Sequence, residues 1–513
     1  MLRNFILSSV ILIVFLSGCA VNPVTGKKEL SLVSESAEIN IGNKQYLPGR
    51  QMQGGDYKTE PDIAAYVKRV GQKLAAVSDR KLPYEFNVIN DSTPNAWALP
   101  GGKIVINRGL LVELKSEAEL AAVLGHEIVH AAARHGAKGM ERGMLLQGAV
   151  IAAGVASQNS EYSQLAVGGA GLASQLLTHK YGRDAERESD YYGMLYMSRA
   201  GYDPRAAINL QQTFVRLSEG RNSSWINGLF ASHPPSQERV DTNRLTAANL
   251  PQGGVLGQDR YLKAIAPLLR DREAYKDFDE GRKALAKGET GRALTLANKA
   301  LSRQPREALF HSLRGDIRLK QKRYTDAITN YDRALQRDKD YFHYYLQRGL
   351  ARLELNQTTT GQADLKKSIS FLPTAPALNA LGLLSLEQGD RSTAKKYFSA
   401  AAGSRSEAGQ AANRSLIRLD LPDNPHKYLQ LKLGRDKSNY LLVQINNKTN
   451  QIVDGVAFSI SLVDADGKVR NVKMMLSKRL QAKGSKVVAT GIGPLSNLKN
   501  IQGKVVQAKV VEN

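Results

Sequence analysis

Four glycines set a long period in this chain: Gly281, Gly315, Gly349 and Gly382 stand 34, 34 and 33 residues apart. Twelve residues after each comes a small residue (Ala293, Ala327, Gly361, Ala394), and seven further on another (Ala300, Ala334, Ser368, Ala401). Pro305 and Pro373 fall at matching ends. A period of this length marks units that cannot bury their apolar faces alone and must stack on their neighbours. A generic Ala-rich bundle would not hold that spacing through four copies. The region from Asp271 to Asp420 is therefore an array, and the rest of the 513 residues must supply other folds. A chain this long exceeds one hydrophobic core, so two to four domains are expected.

The spacing resembles tetratricopeptide repeats, about four of them within residues 260–420. That resemblance implies two helices per copy, packed closely where the small residues fall. Stacked, they form an all-α solenoid with a concave groove for peptide or protein.

At the N-terminus, Met1-Leu2-Arg3-Asn4 precedes an almost wholly apolar run from Phe5 to Leu16. A short basic start and a brief apolar core make a secretory signal, residues 1–18, and not an anchor helix. The run ends Leu16-Ser17-Gly18-Cys19, which resembles the lipobox of bacterial lipoproteins, in which the cysteine is acylated and becomes the first mature residue. Cys19 is the one cysteine in the sequence, so no disulfide is expected, which suits an oxidising periplasm. Ala20 follows it, and in the sorting pattern this resembles, a residue other than Asp favours the outer membrane. The expected location is the bacterial cell envelope, lipid-anchored at the outer membrane and facing the periplasm. Residues 19–60, polar and Gly-rich, read as a tether leading into a first helix. The longest later apolar run, Met144 to Ala156, falls short of the ~20 residues a spanning helix needs.

Between Tyr84 and Leu111 the pattern is that of strands, with Asn95–Leu99 and Lys103–Asn107 joined by the turn signal Pro100-Gly101-Gly102. Ser116 and Glu119 then form a capping box, which predicts a helix from near Glu117 to about Arg134. Its sequence contains His126-Glu127-Ile128-Val129-His130. Residues four apart share a helix face, so both imidazoles aim at one point, and neutral imidazole is a good zinc ligand. Glu127 sits beside the open position, where it can take a proton from the attacking water and later give it to the leaving amine. A catalytic zinc site needs a third protein ligand. The best candidates stand 56 residues past His130, where Glu186 and Asp190 are presented together by one helix. His135, five past His130, falls off the metal face and is expected at the surface. His179 is expected to be structural and Gly168–Gly171 a loop or tight helix packing; Glu188 is the alternative to Glu186 as ligand.

Taken together, the HExxH helix, the Glu-x-x-x-Asp helix, Asn95-Ala-Trp-Ala-Leu-Pro-Gly-Gly-Lys-Ile104, Asn107-Arg-Gly-Leu-Leu111 and Ser232-His233-Pro234-Pro235-Ser236-x-x-Arg239 resemble the HtpX and CaaX-prenyl-protease family of zinc peptidases. The likeness covers roughly Glu35 to Leu250. With the repeats added, it points to the BepA-type periplasmic members. It implies an α+β zincin-like metalloprotease domain over 61–255. It also implies one Zn2+ per chain on His126, His130 and Glu186, with Glu127 as general base and acid. The register of that family makes Glu188 a solvated or salt-bridged neighbour instead of the ligand. Asp190 would accept from a ligand imidazole and fix its tautomer. Strand Lys103–Asn107, or its neighbour Asn95–Leu99, would be the edge on which substrate adds as a strand. His233 would either donate to the oxyanion or fill the fourth metal position and hold the enzyme latent. Arg239 would support the same pocket, by ion pairing or charge stabilisation. Residues 143–177, where membrane-embedded relatives carry spanning helices, are expected to form a helical pair capping the active site.

The last stretch, residues 424–513, returns to strands and reads as a small all-β sandwich. It carries 15 Lys and Arg against 5 Asp and Glu, within a chain of net charge +23. Contact with anionic lipid is one use of such charge. Nucleic acid is not an expected partner, because no binding module is recognisable. The function expected is an envelope zinc endopeptidase acting on misfolded or stalled envelope and outer-membrane proteins. Its repeats would bind substrate or the outer-membrane assembly machinery. The alternative is a chaperone or assembly factor for outer-membrane proteins with latent or minor proteolysis.

Overall fold

The computed structural model describes residues 19–152, 180–219, 228–463 and 468–511. The signal segment 1–18 and the acylation expected at Cys19 lie outside the described residues. So do Gly168–Gly171, His179 and the capping helices expected over 143–177, except for the backbone of one helix running to Ala152.

A small ribbon, β1 (Cys19–Val21) paired antiparallel with β2 (Lys28–Leu30), leads into helices α1 (Glu35–Met52) and α2 (Pro61–Ala75). This segment is less of a tether than its composition implies. Asn22 is buried and donates to the carbonyl of Ala133, and Glu141 accepts from the backbone N–H groups of Leu32 and Val33. A three-stranded sheet follows, in the order β3 (Glu85–Ile89), β5 (Lys103–Asn107), β4 (Ala96–Leu99). Gly101 and Gly102 both take positive φ in the β4–β5 turn, a conformation open to glycine at little cost. After the short α3 (Arg108–Leu111) comes α4 (Glu117–Ala132), nearly every side chain of which is buried. Ser116 caps it by accepting from the Glu119 N–H, and Glu119 accepts in turn from the Lys115 N–H. Helices α5 (His135–Ala152), α6 (Arg183–Arg199), α7 (Arg205–Glu219), α8 (Leu229–Ser232) and α9 (Gln237–Ala248) complete this part. Leu120, Leu124 and Ile128 of α4 join Met194 and Met197 of α6 and Ile104 and Ile106 of β5 in one core.

After α10 (Gln258–Arg270), helices pair as the 34-residue period requires: α11 (Arg272–Ala286) with α12 (Thr290–Arg303), α13 (Ala308–Lys320) with α14 (Tyr324–Arg337), and α15 (Phe342–Glu354) with α16 (Thr358–Phe371). A methyl group on Gly315 would lie 2.6 Å from the Tyr331 ring, which explains why that repeat position is glycine. By packing, the chain divides after Pro373. The second unit holds a fourth pair, α17 (Ala375–Glu387) with α18 (Arg391–Ala401), then α19 (Glu407–Asp420) and α20 (Pro425–Tyr428). It ends in two three-stranded antiparallel sheets. One has the order β10 (Ser485–Ala489), β7 (Leu441–Asn447), β6 (Leu429–Arg435); the other β11 (Ile501–Val510), β8 (Val453–Val463), β9 (Val469–Met475). Leu441, Val443 and Ile445 of one sheet and Phe458, Ile460 and Val505 of the other share one apolar core, as expected of a sandwich. The expected succession of an α+β domain, helical repeats and a strand-rich end is therefore the one observed. Among the described residues no helix is long and apolar enough to cross a membrane.

Candidate metal centre

Helices α4 and α6 touch backbone to backbone. A Cβ on Gly125 would stand 3.1 Å from the carbonyl oxygen of Gly193, so only glycine lets the two helices come this near without adjustment. That crossing brings Glu186 and Asp190 to the histidines of α4. The turn after α8 delivers His233, with its N–H bonded to the Leu229 carbonyl and the Leu229 N–H bonded to that of Pro94.

His126, His130, Glu186 and His233 each direct one ligand-type atom into a common space. His126 Nε2 lies 3.0 Å from His130 Nε2 and 3.3 Å from His233 Nδ1. Glu186 Oε1 lies 2.9 Å from His233 Nδ1 and 3.4 Å from His130 Nε2. Ligand atoms held ~2.0–2.2 Å from one tetrahedral ion are about 3.3–3.6 Å from each other. The donor set, three imidazoles and a carboxylate, and its spacing therefore fit a zinc-like cation. Burial pushes His130 well below the usual imidazole range, which keeps the ring in the neutral form that binds metal. Glu127 is 1% exposed and sits beside this cluster, with Oε1 3.6 Å from His233 Nε2. Its Oε2 is buried with no hydrogen-bond partner among the described residues, and burial raises its carboxyl above the ordinary range. A carboxylate so placed is a proton acceptor facing the space where a reacting water would stand.

Asp190 accepts at Oδ1 from His126 Nδ1, 2.9 Å away, leaving the lone pair of that ring on Nε2. Arg239, buried, grips Asp190 with Nε and Nη2, both at 2.7 Å, and reaches Glu186 Oε2 with Nη1 at 2.9 Å. Of the two ways Arg239 could support the pocket, ion pairing is the one its contacts display.

Two expectations need correction. His135 is buried, not at the surface, and its Nδ1 lies 2.9 Å from His130 Nδ1. Helix α4 stops at Ala132, and Arg134 takes a left-handed conformation (φ 64°) that turns the chain back beneath His130. Strand Lys103–Asn107 cannot be a substrate edge, because β5 is paired on both sides; β4 is the edge strand on the side of the hairpin. Glu188 is ion-paired with Lys27, as a salt-bridged neighbour should be, and its Oε2 lies 3.2 Å from His135 Nε2. Sequence reasoning missed Tyr181, whose ring stacks on His130 with centroids 3.9 Å apart. Nothing in its local pattern marks it.

The sequence model of Peptidase family M48 matches residues 61–246, and that of a tetratricopeptide repeat family matches 278–342 and 315–361. Metalloprotease YcaL of Escherichia coli K12 is 30% identical over 215 residues, which span 41% of this chain and 79% of that protein. Mitochondrial metalloendopeptidase OMA1 of Schizosaccharomyces pombe is 38% identical over 178 residues, 34% of this chain and 50% of the relative. The beta-barrel assembly-enhancing protease of Escherichia coli K12 is 26% identical over 327 residues, 56% of this chain and 66% of the relative. The chain thus spans half the length of the fission-yeast protein and just under two thirds of the assembly-enhancing protease.

Proposed function

The chain belongs to peptidase family M48, and on that premise we propose that it is a zinc-dependent endopeptidase of the bacterial envelope that acts on misassembled or stalled outer-membrane proteins. The observation that carries this reading is the convergence of His126, His130, Glu186 and His233 beside the buried carboxylate of Glu127. His126, His130 and Glu186 would hold one Zn2+, which when bound lends Lewis acidity to water and to the scissile carbonyl. Glu127 takes the proton from the attacking water at Oε2 and delivers it to the amine nitrogen as the peptide bond breaks. Asp190 and Arg239 hold His126 and Glu186 in register. A recess lined by Val123, Met194, Met197, Leu210 and Phe214 opens beside Glu127 and favours an apolar substrate side chain next to the cleaved bond. The repeats supply the surface that captures the protein substrate or an assembly partner. The lipobox-like Cys19 supports attachment to the outer membrane.

The test compares the purified chain with Glu127→Gln on an unfolded outer-membrane β-barrel protein. Cleavage is expected to fall by at least ~10²-fold with zinc content unchanged, and cleavage that persists in the variant would overturn the assignment.

A second reading concerns the resting state. His233 Nδ1 lies within 3.3 Å of ligand atoms of both His126 and Glu186, which favours a fourth-ligand role over oxyanion donation. The site is then complete but closed until α8 moves. His233→Ala should cleave faster than the parent chain. A large loss of activity instead would restore the oxyanion role.

A further inference from the structure

Metal-ligating histidines as a rule donate their second ring nitrogen to a carboxylate, carbonyl or water, which fixes the tautomer and aims the ring. His126 meets this rule directly through Asp190. Among the described residues His130 has no such direct carboxylate: its Nδ1 faces another imidazole, Nδ1 of His135, at 2.9 Å. The far side of that second ring settles the direction of the bond. His135 Nε2 lies 3.2 Å from Glu188 Oε2, and Glu188 also meets the Lys27 ammonium at 3.3 Å. A carboxylate paired with a cation is ionised and can only accept. His135 Nε2 therefore carries the hydrogen, and in the neutral ring its Nδ1 has the lone pair. The His130 Nδ1–H donates to it, and the lone pair of His130 is left on Nε2, pointing into the ligand cluster.

We propose that His135 is a positioning residue for the metal centre: with Glu188 it forms a carboxylate–histidine–histidine line that fixes the tautomer of His130 and keeps its Nε2 free to bind metal. This rests on the reading of His126, His130 and Glu186 as metal ligands. The burial of His135 (5% exposed) and the stacking of Tyr181 on His130 hold both rings in place. The Ser189 hydroxyl, 3.5 Å from His135 Nδ1, is the one other polar group recorded at that nitrogen among the described residues, and it is too far to substitute for His130.

The test measures Zn2+ affinity of the full mature chain by competition with a chromogenic chelator, alongside thermal melting of the metal-free chain. His135→Phe keeps a planar ring and removes the acceptor. Its dissociation constant for Zn2+ should rise ~10–100-fold. His135→Asn places an amide oxygen near the former Nδ1 and should recover most of that loss, although it fills the space less well. Glu188→Gln keeps an acceptor without the charge and should weaken binding by less than His135→Phe. Wild-type affinity in His135→Phe overturns the proposal. So does equal weakening in the Phe and Asn variants that tracks their melting temperatures, because packing alone then explains the effect. His126→Ala separates the premise from the proposal. If it binds Zn2+ as tightly as the parent, the metal-site reading fails whatever His135 does.

Discussion

His311 has a ring set among arginines inside the second repeat: its Nε2 donates to the Pro305 carbonyl, while its Nδ1 is buried without a partner among the described residues. Burial, with help from the charges of Arg337, Arg314 and Arg333, pulls its pKa down to about 4. An unfolded histidine titrates near ~6.5. Between those values the unfolded chain takes up a proton that the native chain refuses, so stability is complete above pH ~6.5 and declines as the pH falls toward ~4. Solvent screens part of this, which leaves an effect on the order of 1 kcal/mol. Urea midpoints at pH 7 and pH 5 should show a smaller loss in His311→Gln than in the parent chain. At this same scale the sequence was legible for some site residues and not for others. His126, Glu127 and His130 could be read because all three ride one uninterrupted helix, whose geometry follows from spacing alone. His135 could not, because its position depends on where that helix ends. No glycine, asparagine or proline stands at 133 or 134 to announce the stop. Arg134 is held in its left-handed turn by Glu141 and, from about a hundred residues away, by Glu38 and the Val33 carbonyl.

Among the elements, the repeat helices show how a glycine can matter in opposite ways. Gly315 faces the fully buried ring of Tyr331, whereas a Cβ on Gly291 in α12 would meet nothing within 4 Å. Alanine raises helix propensity by up to ~1 kcal/mol at either place, but overpacking costs roughly 1–3 kcal/mol where the ring cannot yield. Thermal melts should therefore find Gly315→Ala destabilised and Gly291→Ala unchanged or slightly stabilised. Destabilisation of both would refute the packing argument. The repeat period carried this information because each small residue is demanded by a neighbour at a fixed offset. The order of strands around β5 was not legible. Alternating apolar residues identify a strand, yet its partners are set by its packing against helices such as α1 and α4, which no local window contains.

For the first unit of the molecule, the notable fact is how the repeats meet the metalloprotease part. Glu307, 1% exposed, caps α13 and at the same time accepts from Thr59, Asn90 and Tyr275. Arg108 lies 3.4 Å over the Tyr275 ring, and Gln51 exchanges hydrogen bonds with Asp340 and Phe342. Partners about 250–290 residues apart in sequence are thus hydrogen-bonded to one another. Removing a buried acceptor leaves its donors unpaired at a cost of ~1–3 kcal/mol, so Glu307→Ala should lower the melting temperature of this unit and should loosen the repeats in hydrogen exchange. A contact made by single buried polar groups leaves no periodic trace for a sequence to show. Its consequence is that Pro251 to Leu256, all exposed, is dispensable as a covalent tie. A chain nicked there should stay whole, and two halves made separately should find each other and reconstitute a working peptidase, the way a split reporter is reassembled by its own interface.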